Sequence, residues 1–119
     1  MAVTRRELID LCLGWPGCYE DYPFDEIAGP ESWAVIRHRG NKKIFAAVFD
    51  RGGLCVNLKC EPMEADFLRS QYAGVTPGWH MNKVHWNTVH LPSDVDRAVL
   101  EHMIDQSYRL TLPKKALKK

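Results

Sequence analysis

Apolar residues first recur as Leu8, Ile9, Cys12 and Leu13, a spacing that lays one stripe along a helix. Thr4 and Glu7 form a capping box ahead of that stripe, Val3 and Leu8 bracket it as a hydrophobic staple, and Gly14-Trp15-Pro16-Gly17 stops it. After an irregular stretch the period drops to two. Trp33 to Arg39, Lys43 to Phe49 and Leu54 to Lys59 read as three strands joined by turns at Gly40-Asn41 and Gly52-Gly53, an antiparallel meander. In the third strand Leu54, Val56 and Leu58 share the core side, while Cys55, Asn57 and Lys59 are expected to meet water.

The helical period returns after Glu61-Pro62, with Met63, Phe67, Leu68 and Tyr72 as the expected buried stripe and Gly74 as the stop. The stretch from Trp86 to Leu91 has the β-branched and aromatic content of a strand. A last helix is expected from Ser93, its apolar face made of Val99, Leu100, Met103, Ile104 and Tyr108. The predicted order is helix, three strands, helix, two short strands, helix. That order reads as an α+β two-layer sandwich, an antiparallel sheet with helices on one face, in a single domain over residues 1–119.

Between Cys18 and Glu31 no period holds, and Pro23 and Pro30 oppose regular structure. This stretch carries Glu20, Asp21, Asp25, Glu26 and Glu31 and reads as a solvated acidic loop anchored by Tyr22 and Phe24, since paired carboxylates without a positioned partner make no acid and base. The chain ends in a short basic arm, Lys114-Lys115-Ala116-Leu117-Lys118-Lys119.

Composition narrows the function classes. At 119 residues, 45% hydrophobic and 26% charged, the chain can bury a core without metal or disulfides. No run approaches the roughly 18 apolar residues of a membrane span and no signal-peptide core is visible, so a cytoplasmic protein with no membrane partner is expected. Cys12, Cys18, Cys55 and Cys60 contain no Cys-x-x-Cys pair and read as reduced thiols, with no metal site and no cofactor expected. A formal net charge of +1 gives no bulk attraction to polyanions, so any such binding must come from local segregation of charge.

One stretch fits neither period. Gly78-Trp79-His80-Met81-Asn82-Lys83, followed by His85-Trp86-Asn87-Thr88-Val89, crowds aromatic and polar side chains together. With Leu58-Lys59-Cys60-Glu61-Pro62, Tyr22-Pro23-Phe24 and Ser107-Tyr108, this run resembles the signature of the MmcQ/YjbR-like family of small bacterial proteins, over nearly the whole chain. The resemblance implies a fold related to secretion-chaperone-like and CyaY-like proteins, likened to the double wing of a phage transcription factor domain, and a DNA-binding label.

Several chemistries compete for this stretch. His80 or His85 could act as a general base, Lys83 as an anion holder and Asn82 or Asn87 as hydrogen-bond donors, but no Ser or Cys stands beside them in a nucleophile motif. The five-residue spacing of His80, His85 and His90 sends successive side chains to opposite faces of a strand, against a shared ion. For nucleic acid, Arg37, Arg39, Lys42 and Lys43 concentrate positive charge at the tip of the first hairpin, with Lys83 as a further phosphate contact. The structural alternative is that Trp79, His80, Asn82, Lys83, Trp86 and Asn87 tie down an irregular crossing.

The reading adopted is a non-enzymatic protein that binds DNA through this basic hairpin and Lys83. The alternative is an adaptor or small-ligand-binding module using a pocket of residues 79–87, and a protein partner or a second copy, forming a homodimer, is expected to dock across an exposed strand edge. The DNA reading requires the hairpin and Lys83 to converge at one place on the molecule.

Overall fold

A computed structural model describes residues 2–23 and 33–113. The elements follow as α1 (Arg5–Leu13), β1 (Cys18–Asp21), β2 (Ala34–His38), β3 (Ile44–Asp50), β4 (Leu54–Lys59), α2 (Pro62–Gln71), β5 (Val75–Pro77), β6 (Trp86–Leu91) and α3 (Arg97–Leu110). The six strands form one sheet in the order β1-β2-β3-β4-β6-β5, and every neighbouring pair is antiparallel. The α+β class stands, but the predicted element order is short by one strand. β1 lies inside what read as an irregular acidic stretch; it has four residues, and its pairing partner, β2, is distant in sequence. Phe24, Asp25, Glu26, Pro30 and Glu31, and the basic arm from Lys114, lie outside the described residues.

The capping box at α1 forms as read: Thr4 Oγ1 accepts from the Glu7 amide at 3.1 Å and Glu7 Oε1 accepts from the Thr4 amide at 2.9 Å. Leu8, Ile9 and Cys12 of α1, Ala65 and Leu68 of α2, and Leu100, Met103 and Ile104 of α3 join Ala34, Ile36, Val48, Val56, Leu58 and Val89 in one core. Because those strand residues share one side of the pleat, the three helices cover one face of the sheet.

Three local expectations are corrected. Met63 and Phe67 do not belong to the buried stripe of α2; they are 87% and 59% exposed, and the small Ala65 takes the inner position with Leu68. The last helix begins at Arg97, capped by Asp96, whose side chain accepts from the Val99 amide at 2.9 Å. Asp94 serves elsewhere, accepting from the Ala73 and Gly74 amides at 2.8 Å each, which holds its carboxyl below the ordinary range. The side of β4 expected to meet water is largely sealed: Cys55 is 1% and Asn57 0% exposed.

His38, the last residue of β2, reaches into the helix side. Its Nε2 lies 2.7 Å from Thr111 Oγ1, and its ring packs between Phe45 and Tyr108. Loss of hydration on burial holds this imidazole below its ordinary value, partly offset by a hydrogen bond to the Tyr108 backbone. The unfolded chain therefore binds the proton more readily. Stability is complete above about pH 6.5, the unfolded value, and falls as the pH drops below it. Thermal midpoints measured from about pH 7.5 down to about pH 5 should fall, and His38→Gln should remove part of that fall. Parallel pH profiles for the two proteins would refute the assignment.

Candidate functional site

The face of the sheet away from the helices carries Arg37, Val35, Ala47, Phe49, Lys59, Asn57, Cys55, Trp86, Thr88, His90 and Thr76, as the pleat and the strand register require. Three rings close over it. Trp33, which leads into β2, stacks on Phe49 of β3 at 4.3 Å with planes 8° apart, and Trp79 stacks on Phe49 at 5.5 Å and on Trp33 at 5.8 Å. The His80 ring lies 4.1 Å from Trp79 and 6.3 Å from Trp33, tilted against both. The Arg51 guanidinium, from the β3–β4 turn, rests over the Trp79 ring at 4.5 Å.

What holds Trp79 there is buried. Asn57 Nδ2 donates to the Trp79 carbonyl at 2.9 Å, Thr88 Oγ1 accepts from the Trp79 amide at 2.9 Å, and the Thr88 hydroxyl donates to Asn57 Oδ1 at 2.5 Å. Asn57 and Thr88 face each other across β4 and β6, so the register itself builds the clamp. The clamp ends at an exposed residue in a left-handed conformation, His80 with φ 63°. Gly78 precedes it because a Cβ there would sit 2.7 Å from the Trp86 Cβ.

The six signature residues do not form one pocket. Asn82 Oδ1 accepts from the Val84 and His85 amides, tying its own turn. Lys83 Nζ donates to the Gly78 carbonyl at 3.0 Å. Asn87 is buried on the helix side, where its Oδ1 accepts from Arg69 Nε at 2.6 Å and its Nδ2 donates to the Ala65 carbonyl at 3.4 Å. Arg69 of α2 also donates to the Lys83 and Trp86 carbonyls, so it anchors this crossing to the helix. Trp86 is half-buried on the open face, opposite Lys59. Only Trp79 and His80 join the ring cluster, and they do so with Trp33, Phe49 and Arg51, which sequence reasoning missed. Strand register was the signal that would have brought Phe49 and Asn57 to the same face.

The hairpin cations lie as follows. Arg37 Nε pairs with Asp21 Oδ2 at 2.8 Å and Arg37 Nη1 donates to the Lys42 carbonyl at 2.9 Å. The Arg39 guanidinium lies 5.5 Å from the centre of the Tyr19 ring, and Arg39, Lys42 and Lys43 are exposed. Their turn is braced: the Lys42 amide donates to the His38 carbonyl at 2.8 Å, Asn41 Oδ1 accepts from the Lys43 amide, and Asn41 Nδ2 donates to the Thr111 carbonyl. Arg37 pairs with Ile44, while β4 ends beside them at Lys59, which pairs with Trp86. The 39–43 turn and the 78–85 turn therefore emerge at the same end of the sheet, with two strand steps, about 10 Å, between β3 and β6.

Farther along the open face Cys55 Sγ is 3.5 Å from His90 Nδ1, and His90 Nε2 is 3.0 Å from Thr76 Oγ1. Burial pushes the Cys55 thiol up, which keeps it protonated and unactivated near neutrality. Cys12 and Cys60 are pushed up to about 12 and about 11 in the same way. Among the described residues no three His, Cys, Asp or Glu side chains come together as a metal-ligand set, and no helix is long and apolar enough to cross a membrane.

A family model described as YjbR matches residues 13–110. The Escherichia coli K12 protein YjbR is 30% identical over 108 residues, covering 90% of this chain and 86% of its own length. The Bacillus subtilis protein YyaQ is 31% identical over 120 residues, covering 92% of this chain and 98% of its own. A crystal structure of a Pseudomonas syringae protein superposes with a TM-score of 0.82 at 28% identity, over 92% of this chain and all of that one. A Deinococcus radiodurans crystal structure gives 0.79 at 28% identity, over 94% and 80%. With the signature run, the six-stranded antiparallel sheet and these matches, the chain belongs to the YjbR family.

Proposed function

We propose that this protein acts by binding nucleic acid, DNA first, and not by catalysis, with phosphate held by Arg39, Lys42 and Lys43 and by Lys83 beside them. The observation that carries this is the strand register, which brings the 39–43 and 78–85 turns out at one end of the sheet. The bracing of the first turn adds preorganisation, since cations on a fixed loop lose less freedom when they meet a phosphate. Arg37 contributes from behind, its charge shared with Asp21. The likeness to a double-wing domain belongs to the same reading, because a β-hairpin can enter a groove. So does a cytoplasmic site of action.

With a net charge of only +1, attraction is local and strongly screened. Four phosphate contacts give a fall in affinity of roughly 100-fold between about 50 mM and 200 mM salt. In fluorescence anisotropy with a labelled duplex, the combined Arg39→Ala, Lys42→Ala and Lys43→Ala variant should lose most of that salt dependence, the slope of log affinity against log salt dropping by about 3. Unchanged affinity in the variant removes the hairpin from the interface.

A second reading, an adaptor docking a protein partner, draws on the exposed Met63 and Phe67 of α2. Partner binding that ignores salt would favour it.

A further inference from the structure

We propose that the preferred ligand is single-stranded, with unpaired bases stacking at the Trp79–His80 edge of the open sheet face and a phosphate taken by Arg51. This rests on the nucleic-acid reading above and gives it a strand state. A duplex offers its phosphates and groove edges but keeps its π-faces stacked inside, so it cannot use an aromatic platform.

The platform is built rather than incidental. Phe49, fully buried, forms its floor, Trp33 and Trp79 stack on it nearly parallel, and the backbone of Trp79 is clamped by Asn57 and Thr88, themselves 0% and 2% exposed. At the rim the clamp presents His80 in a left-handed conformation. Arg51 is exposed and lies over the Trp79 ring, marking an indole surface within reach of a side chain from solvent. An exposed cation–π contact is weaker than base–aromatic stacking, so a base can displace Arg51 at small cost. The freed guanidinium then stands beside the stacked base, where its phosphate lies.

Cations flank the platform on both sides. Lys59 shares the open face with Asn57 and Cys55, and the four residue steps from Lys59 to Cys55 span roughly 13 Å of strand. Arg51 lies beyond that stretch and the 39–43 turn before it, so the face runs from phosphate-binding charge through rings to charge again, over a length suited to a few nucleotides. The stacking surface is sequence-tolerant because every base has a π-face.

The test compares a labelled oligothymidine, the same strand annealed into a duplex, and adenosine monophosphate, on the full chain. Tryptophan fluorescence reports stacking and anisotropy reports binding. The single strand should bind at least tenfold more tightly than the duplex and quench tryptophan emission. Arg51→Ala and His80→Asn, both at exposed positions, should each weaken the single strand severalfold and leave the duplex unchanged.

Equal or tighter duplex binding, or no effect of these variants on the single strand, overturns the proposal. So does adenosine monophosphate binding as tightly as the oligomer, which would make the ligand a free nucleotide. If the 39–43 variant loses both nucleic acids while Arg51→Ala changes neither, the proposed function stands and this inference fails. If Arg51→Ala alone matters, the hairpin assignment fails and the stacking site stands; no binding of either nucleic acid sinks both.

Discussion

Phe49→Ala should lower stability by roughly 3–5 kcal/mol, a drop in the thermal midpoint of roughly 10–20 °C. Phe49 has no exposed surface, yet it lies on the side of the sheet that none of the described helices covers. Its ring supports Trp33 at 4.3 Å and Trp79 at 5.5 Å, so truncation removes the floor of the stack as well as buried area. Near-ultraviolet circular dichroism should lose the signal of the coupled indoles in the same variant. A loss below about 1 kcal/mol would mean that the open face tolerates a gap as surfaces do and is not a second core.

Arg69→Ala should cost about 2–4 kcal/mol, because it strips hydrogen bonds from three acceptors at once and leaves buried Asn87 Oδ1 without its charged donor. Arg69→Lys should recover little of this. A single ammonium cannot reproduce a fork that reaches Asn87 and the Lys83 and Trp86 carbonyls together. Asp66→Ala is the control: its contact with Arg69 is 3.5 Å long and Asp66 is 83% exposed, so denaturation midpoints should barely move. Equal midpoints for Arg69→Ala and Asp66→Ala would show that the crossing of residues 78–87 holds without its anchor.

The local features of this fold were legible in sequence and the distant ones were not. Thr4 and Glu7 announce α1 because the capping box closes within one helical turn. Gly52 and Gly53, with φ of 67° and 141°, announce the β3–β4 turn for a similar reason: both adopt backbone that other residues avoid. Alternation assigned Cys55 and Asn57 correctly to the same side of β4, but that side is sealed through a residue 22 positions away, Trp79, which no period reveals. In α2 the apolar Met63 and Phe67 suggested the wrong rotation, since the buried position went to the smaller Ala65. With the last helix read from Ser93, Asp94 and Asp96 both fell in its first turn; only the fold sends Asp94 to the Ala73–Gly74 turn and makes Asp96 the cap of α3.

The candidate site divides the same way. The signature stretch stood out by composition, and the resemblance it carries leads to the right family. Within it, however, Asn82, Lys83 and Asn87 secure the backbone, while Trp79 and His80 meet rings from outside the stretch, Phe49 and Trp33. An arginine such as Arg69, on a helix rich in charge, reads as solvated until its acceptors are seen.

Whether ligand meets the sheet face away from the helices and the end where the two turns emerge is read most directly from amide and indole NMR shifts during titration with a short single-stranded oligonucleotide. Shifts are expected at Arg39, Lys42, Lys43, Arg51 and His80 and at the Trp79 indole, with α2 unmoved. Shifts confined to the surroundings of Met63 and Phe67, or a spectrum unchanged at saturating oligonucleotide, would contradict that placement.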